Sequence, residues 1–153
     1  MHVKIWKKKL IVDIGTLTAN QPCVAGDIFG SIVTNDETCE RDFIKAGRET
    51  GDLLVSLPFC PEIYLPKLKS NIADLINSPK KNEKGRTVIA AHFIGDNINL
   101  EEKKWVHLDI FGPVLHQGRS TGFGFFLLLN YLENSIKNKT GQTYVNNQLQ
   151  SLC

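Results

Sequence analysis

The chain has 153 residues, of which 42% are hydrophobic and 22% charged, and its formal net charge is +2. This size and composition indicate one globular domain, or part of one, and the small charge argues against nucleic acid or a membrane as a partner. No apolar run reaches the length of a membrane span. The four cysteines are widely spaced without a CxxC pair, so we expect reduced thiols and a cytoplasmic protein.

Strands and helices alternate along the predicted chain, which favours a layered α/β fold with a central mixed β-sheet flanked by helices. The first strand, Leu10 to Ile14, is an apolar run rich in β-branched residues, as expected of a buried core strand. Asn35 or Asp36 is placed to cap the main helix, and Gly51 to end it in the left-handed conformation. In order, we predict strands over residues 10–14 and 28–34, a helix over 37–50, a strand over 53–57, helices over 67–76 and 87–94, a strand over 105–110 and a helix over about 121–136. Loops are predicted over 20–27, 78–86 and 95–103, and residues 58–66 are expected to be irregular or only briefly helical. The polar tail, residues 137–153, is expected to fray.

Ligands of α/β folds bind where strands end, so residues 15–19, directly after the first strand, are the first place to expect a site. This turn carries two threonines, Thr16 and Thr18. On the pattern alone, two hydroxyl groups that satisfy local backbone groups are the simpler interpretation.

The remaining polar residues indicate no catalytic or metal site. His107 and Asp109 share one face of the late strand, but no third ligand is spaced for a metal, so a hydrogen-bonded pair at the edge of the core is favoured. His92 lies on an apolar helix and is best interpreted as a satisfied core histidine. Gly122 and Gly124 form a GxG without a third glycine, which is a weak nucleotide fingerprint, and we expect them to let a helix pack closely. No serine stands in a nucleophile elbow.

Five segments carry a more specific signal. In order and spacing, DIGTLTAN, FIKAGRETGDLLVSLP, IADLINS, WVHLDIFGPV and STGFGFFLLLNYLE resemble the C-terminal half of the leucyl aminopeptidase catalytic domain, from about Leu10 to Glu133. The loop SPKKNEKGR and the Gly-Pro-Val after the last strand look closest to the leucine-aminopeptidase-like branch. The resemblance implies that residues 1–136 are the C-terminal portion of such a domain and residues 137–153 a polar tail.

The resemblance implies a cytosolic aminopeptidase that removes N-terminal amino acids from peptides. In that family two divalent metal ions, zinc or manganese, activate a water that attacks the peptide carbonyl. The family's metal ligands and catalytic residues precede the Thr-Leu-Thr turn and have no counterpart here, so we expect no catalytic residue, no metal ligand and no metal bound by this chain alone. The implied partners are a peptide substrate and either a homo-oligomer, a hexamer in the family, or a full-length paralogue.

What the resemblance does carry over is substrate contact. Thr16, Leu17 and Ala19 match the turn that lines the pocket for the substrate's first side chain, and Phe111 and Val114 match the pocket wall. The family usually has glycine where this chain has Ala19, so a close backbone approach or a positive φ there would be strained. It usually has a small residue at the position of Phe111, and a phenyl ring would narrow the pocket.

Three hypotheses follow from these observations. In the first hypothesis, the chain is the C-terminal piece of a metallo-aminopeptidase, which is inactive alone and has an exposed sheet edge. Alternatively, it is a non-catalytic subunit that associates with full-length aminopeptidases. A stand-alone α/β module that binds peptides or nucleotides is the most distant, because only the generic fold supports it.

Overall fold

A computed structural model describes residues 10–80, 82–98 and 100–150, with side chains as far as Lys137. Its larger sheet has four strands in the order β1-β4-β2-β3. β1 is parallel to β4, β4 is antiparallel to β2, and β2 is parallel to β3, so the sheet is mixed as predicted. The elements are β1 (Leu10–Gly15), α1 (Pro22–Ala25), β2 (Gly30–Thr34), α2 (Glu37–Thr50), β3 (Leu54–Ser56), α3 (Pro61–Tyr64), a 3₁₀ turn (Leu65–Leu68), α4 (Arg86–Asp96), β4 (Lys104–Asp109), β5 (Leu115–His116), β6 (Arg119–Ser120) and α5 (Phe125–Gln150).

One face of the sheet is covered by α2 and α5. Ile32 and Leu108 from the sheet, Phe43 from α2 and Leu127 from α5 are all fully buried in one cluster. The ring of Tyr131 packs on that of Phe43 at 4.1 Å between centroids. This cluster is the main hydrophobic core and fixes α5 against α2.

The ends of α2 follow the predicted local signals. Asp36 is the N-cap, and its Oδ1 accepts a hydrogen bond of 2.8 Å from the Cys39 amide. Lys104 at the start of β4 binds the same carboxylate, and this contact lowers the pKa of Asp36. Gly51 ends the helix at φ 87°, where a side chain would be strained.

The opposite face of the sheet is covered by α4, whose Ala91 packs with Val33 and Trp105. His92 is buried beneath the segment before α3: its Nδ1 binds the Val88 carbonyl at 2.7 Å, and its Nε2 accepts from the Cys60 amide at 2.9 Å. His92 is therefore the satisfied core histidine that the sequence predicted.

Three predicted elements differ in the structure. β1 is only half-buried, because within the described residues it pairs with β4 alone and forms an edge of the sheet. Of the predicted helix over residues 67–76, only Lys67 and Leu68 are helical, as the end of the 3₁₀ turn. Beyond them Ser70 Oγ accepts from two nearby amides, Ile72 is 98% exposed, and Lys69 pairs with Leu75 in an isolated bridge. The predicted loop over residues 20–27 contains the short helix α1.

The last helix begins later and ends later than predicted. Gly122 and Gly124 lie outside it at φ 75° and 93°, and a Cβ at either would touch nothing. Their role is conformational freedom, rather than the close packing that the sequence suggested. Asp52 Oδ2 accepts from the amides of Gly124 and Leu127 and so caps α5, which continues to Gln150 past the expected end at residue 136. No helix in the described part of the chain is long and apolar enough to cross a bilayer.

His92 generates a pH-dependent prediction. Burial lowers its pKa below the ordinary value of 6.5, and neither the Val88 carbonyl nor Glu62 fully offsets this. The unfolded chain therefore takes up a proton at this residue that the folded chain refuses, so stability is full above about pH 6.5 and falls as the pH drops through the folded pKa. One proton limits the slope to about 1.4 kcal/mol per pH unit. We expect urea unfolding to show this loss in the native chain and a smaller one in His92→Gln. His116→Gln, at an exposed hairpin position, is the control and should keep the native slope.

Candidate functional site

The candidate site lies at the edge of the sheet where β1 and β4 end together. Because the two strands are parallel and Gly15 is in register with Asp109, the segments that follow them leave side by side. The Ile110 amide donates to the Gly15 carbonyl at 2.9 Å and continues the pairing by one residue. The predicted turn and the predicted pocket wall are therefore neighbours, although 92 positions separate Leu17 from Asp109 in the sequence.

Asp109, which is 1% exposed, holds this arrangement in place. Its Oδ1 accepts from the amides of Leu17 and Phe111, both at 3.2 Å. Its Oδ2 accepts from the amide of Thr18 at 3.1 Å and from the Thr18 hydroxyl at 2.8 Å. That hydroxyl also lies 3.0 Å from the Thr87 hydroxyl on α4. Four hydrogen bonds satisfy a buried carboxylate that would otherwise be costly, and they fix both segments to one point.

A cleft of about 710 Å³ opens beside this network. Of the five residues that the resemblance assigns to substrate contact, Thr16, Phe111 and Val114 line it together. Leu17 and Ala19 lie on the same turn but do not line the cleft, and both are exposed. Whether these five residues contact a substrate stays a prediction. Ala19 carries no strain from a positive φ, because the described non-glycine residues with that conformation are Glu102 and Gln117.

The other walls of the cleft were not found by sequence reasoning. A two-stranded hairpin, β5 and β6, turns at Gln117 and Gly118 with φ 49° and 74°, the conformation of a tight primed hairpin turn. Gln117 and the two preceding residues line one side of the cleft, and Asp27, Ile28 and Phe123 line others. A hairpin with two residues per strand leaves almost no periodic signal in the sequence.

A buried glutamine supports the floor of the cleft. Gln21 is 0% exposed, and its Oε1 accepts from the Gly112 amide at 2.9 Å. Its Nε2 donates to the Phe29 carbonyl at 2.7 Å and to Ser31 Oγ at 3.1 Å. A Cβ at residue 112 would lie 2.6 Å from Gln21 Oε1, so this position requires glycine. The side-chain amide of Gln21 thereby joins the pocket wall to β2.

His107 and Asp109 share the predicted face but bond to different groups. His107 Nδ1 binds Asp13 Oδ1 on β1, and Trp105 Nε1 donates to Asp13 Oδ2 at 2.6 Å. His107 Nε2 is buried without a hydrogen-bond partner among the described residues. Asp109 instead accepts hydrogen bonds from the turn after β1. The predicted pairing of these two side chains is therefore replaced by two separate networks across the β1–β4 boundary.

The described residues do not form a metal site. They contain no group of three or more His, Cys, Asp or Glu side chains that could hold a metal ion. Of the cleft carboxylates, Asp52 already caps α5. The described thiols of Cys23, Cys39 and Cys60 are free, and burial raises the pKa of Cys39 to about 11, far from that of a nucleophile at neutral pH.

Comparison with known proteins gives one consistent set of relatives. The model of the cytosol aminopeptidase family, catalytic domain, matches residues 1–129. Leucine aminopeptidase 1 of Caenorhabditis elegans is 40% identical over 120 residues, which are 77% of this chain and 24% of that protein. The probable aminopeptidase NPEPL1 of Mus musculus is 39% identical over 121 residues, 78% of this chain and 23% of that protein. The apo structure of leucyl aminopeptidase from Trypanosoma cruzi superimposes with a TM-score of 0.80 at 32% identity, over 86% of this chain and 26% of that chain. The chain thus spans about a quarter of the length of these relatives.

The Asp109 network generates a prediction about the turn. In Asp109→Asn, a side-chain NH2 group replaces one of the carboxylate oxygens that accept these hydrogen bonds, and it faces donors that it cannot pair with. We expect a loss of about 2 kcal/mol in the free energy of unfolding. Hydrogen exchange at the Leu17 and Thr18 amides should accelerate in parallel. Thr18→Val removes the hydroxyl alone and should cost about 1 kcal/mol. Equal losses in the two variants would show that the amide bonds to Asp109 contribute nothing.

Proposed function

The chain belongs to the cytosol aminopeptidase family, and on that premise we propose that it forms the wall of an aminopeptidase active site that receives the first side chain of a peptide. The observation that carries this proposal is the Asp109 network, which fixes the turn after β1 beside Phe111 at the mouth of the cleft. A pocket for one side chain needs walls held by such buried contacts. The cytoplasm is the proposed compartment.

The work of the described residues in that reaction is binding and orientation. Phe111 and Val114 offer apolar surface to the substrate side chain, and Thr16 also lines the cleft. The amides of Leu17 and Thr18 are occupied by Asp109, and the Thr18 carbonyl accepts from the Gln21 amide, so the N–H groups of a peptide would bind to the carbonyl oxygens of Thr16 and Leu17. This would position the substrate without supplying a nucleophile.

The metal ions of the reaction do not fit the residues described here. The cleft brings together no set of donors for a metal, and Asp52 is committed to the start of α5. We propose that zinc or manganese is held by other residues of the working enzyme, whether in the same polypeptide or in a second one. No chemical step is therefore assigned to this part of the protein.

A second candidate function is that of a non-catalytic subunit that joins a longer aminopeptidase, and the outer edge of β1 favours it. Within the described residues that edge is unpaired, and Ile14 on it is 37% exposed. An open edge with apolar side chains is a template for another strand. A hexamer of such subunits is the proposed assembly.

The first experiment is complementation. The chain would be refolded together with the portion of the Caenorhabditis elegans leucine aminopeptidase 1 that it does not match, and hydrolysis of a leucine anilide would be measured with zinc or manganese present. We expect activity from the mixture and none from either piece alone. Stoichiometric tight metal binding by this chain alone would contradict the proposal, as would a stable complex without hydrolysis, which would favour the non-catalytic subunit.

Phe111 generates a prediction about specificity in that complex. Phe111→Ala opens the cleft by the volume of a phenyl ring, so the ratio of kcat/KM for leucine over alanine substrates should rise about tenfold. Phe93→Ala, on α4 and outside the cleft, is the matched control and should leave the ratio unchanged. An unchanged ratio in Phe111→Ala would mean that the ring does not limit the pocket.

A further inference from the structure

The charged side chains in the walls of the cleft are acidic. Asp27 and Asp52 line it, and no Lys or Arg of the described residues does so, although the whole chain has 18 Lys and Arg against 16 Asp and Glu. Among the described lining residues, His116 is the single side chain with a titratable nitrogen. The cleft is thus opposite in charge to the chain as a whole, and its field favours a cationic group on the ligand.

Asp27 is available to such a group. The residue is exposed, and its carboxylate forms no hydrogen bond or ion pair with another described residue. A Cβ at residue 112 would lie 3.3 Å from the Asp27 Cα, so the Asp27 backbone runs beside the segment that begins with Phe111. A free carboxylate is therefore attached next to the predicted pocket wall.

Asp52 contributes a second acceptor. The amides of Gly124 and Leu127 both donate to its Oδ2, and no described residue donates to its Oδ1. A carboxylate that is occupied on one oxygen can accept from a ligand on the other. The cap of α5 and a contact with a ligand can thus be made by the same side chain.

Apolar side chains share the walls of the cleft with these carboxylates. Ile28, Phe111 and Leu115 line it and are 69%, 39% and 60% exposed. Arg and Lys bury their methylene stems on such surface while the charged head reaches a carboxylate. The face of an exposed aromatic ring also attracts a guanidinium group. This combination of surfaces matches a long basic side chain better than an aliphatic one.

The size of the cleft agrees with a long side chain. Its volume of about 710 Å³ lies within the usual range of ligand pockets, roughly 300–1,000 Å³. A leucyl side chain alone leaves most of this volume empty and gives neither carboxylate a partner. A basic side chain fills more of the volume and supplies the missing donors.

We propose that the first side chain that this cleft receives is basic, that of arginine or lysine. The inference rests on the proposed function, because it names the substrate class of the same cleft. Arginine is expected to bind more tightly than lysine, since its planar guanidinium group can stack on Phe111 and donate two N–H groups to one carboxylate.

The first test measures specificity in the active complex formed with the remaining portion of the Caenorhabditis elegans enzyme. We expect kcat/KM for an arginine anilide to exceed that for a leucine anilide about tenfold, and Asp27→Asn to lower this ratio about fivefold. Asp74→Asn removes an exposed carboxylate outside the cleft and should leave the ratio unchanged. A complex that prefers the leucine anilide overturns the inference while the proposed function stands, and so does an unchanged ratio in Asp27→Asn.

Direct binding to the full 153-residue chain decides the inference if the complex hydrolyses neither anilide, an outcome that contradicts the proposed function. Argininamide and leucinamide carry the same α-ammonium group, so the difference between their affinities reports on the side chain alone. In an NMR titration, argininamide should bind at least tenfold more tightly, with the largest amide shifts at Ile28 and Leu115. Raising the salt to about 300 mM should weaken this binding severalfold, because exposed carboxylates are screened. Equal affinities, or no binding of either amide, overturn the inference.

Discussion

A single buried carboxylate, that of Asp109, connects the turn after β1 with the start of the pocket wall. It stands at the end of β4, bonds to the turn after β1 and to the first residue of the pocket wall, and through the Thr18 hydroxyl reaches α4. A buried carboxylate is tolerated here because hydrogen-bond donors surround it. The turn, the pocket wall and α4 are consequently expected to hold their positions at this edge of the sheet together, or to lose them together.

The two faces of the sheet contribute differently to this arrangement. The face beneath α2 and α5 is apolar, with Phe43 and Leu108 fully buried, and supplies hydrophobic stabilisation without direction. The face beneath α4 also carries polar networks, in which Asp13 joins His107 and Trp105 across the β1–β4 boundary. Hydrogen bonds fix register where burial alone does not, so the precise geometry of the site arises mainly on this second face.

Local signals in the sequence were the most informative about the fold. The cap at Asp36 and the stop at Gly51 were predicted because each acts on its own helix end. The helical spacing of apolar residues over 67–76 gave a wrong prediction, because Ser70 Oγ accepts hydrogen bonds from backbone amides that a helix would use. The location of β1 was predicted correctly, but the predicted full burial was wrong, since burial depends on which strands lie beside it. At the site, Thr16, Phe111 and Val114 came from family resemblance. The role of Asp109 and the hairpin wall could not be predicted, because their contacts join residues far apart in sequence or lie in strands too short to show a period.

The position of Asp52 has a consequence for communication across the molecule. The residue lines the cleft, and the same carboxylate caps the start of α5. A ligand that draws this carboxylate into the cleft must weaken the cap, and a partner that steadies the first turn of α5 must hold the carboxylate back. Thermodynamic linkage makes the two effects equal in size. A ligand in the cleft and any partner bound at the first turn of α5 would therefore affect each other's binding through this one side chain.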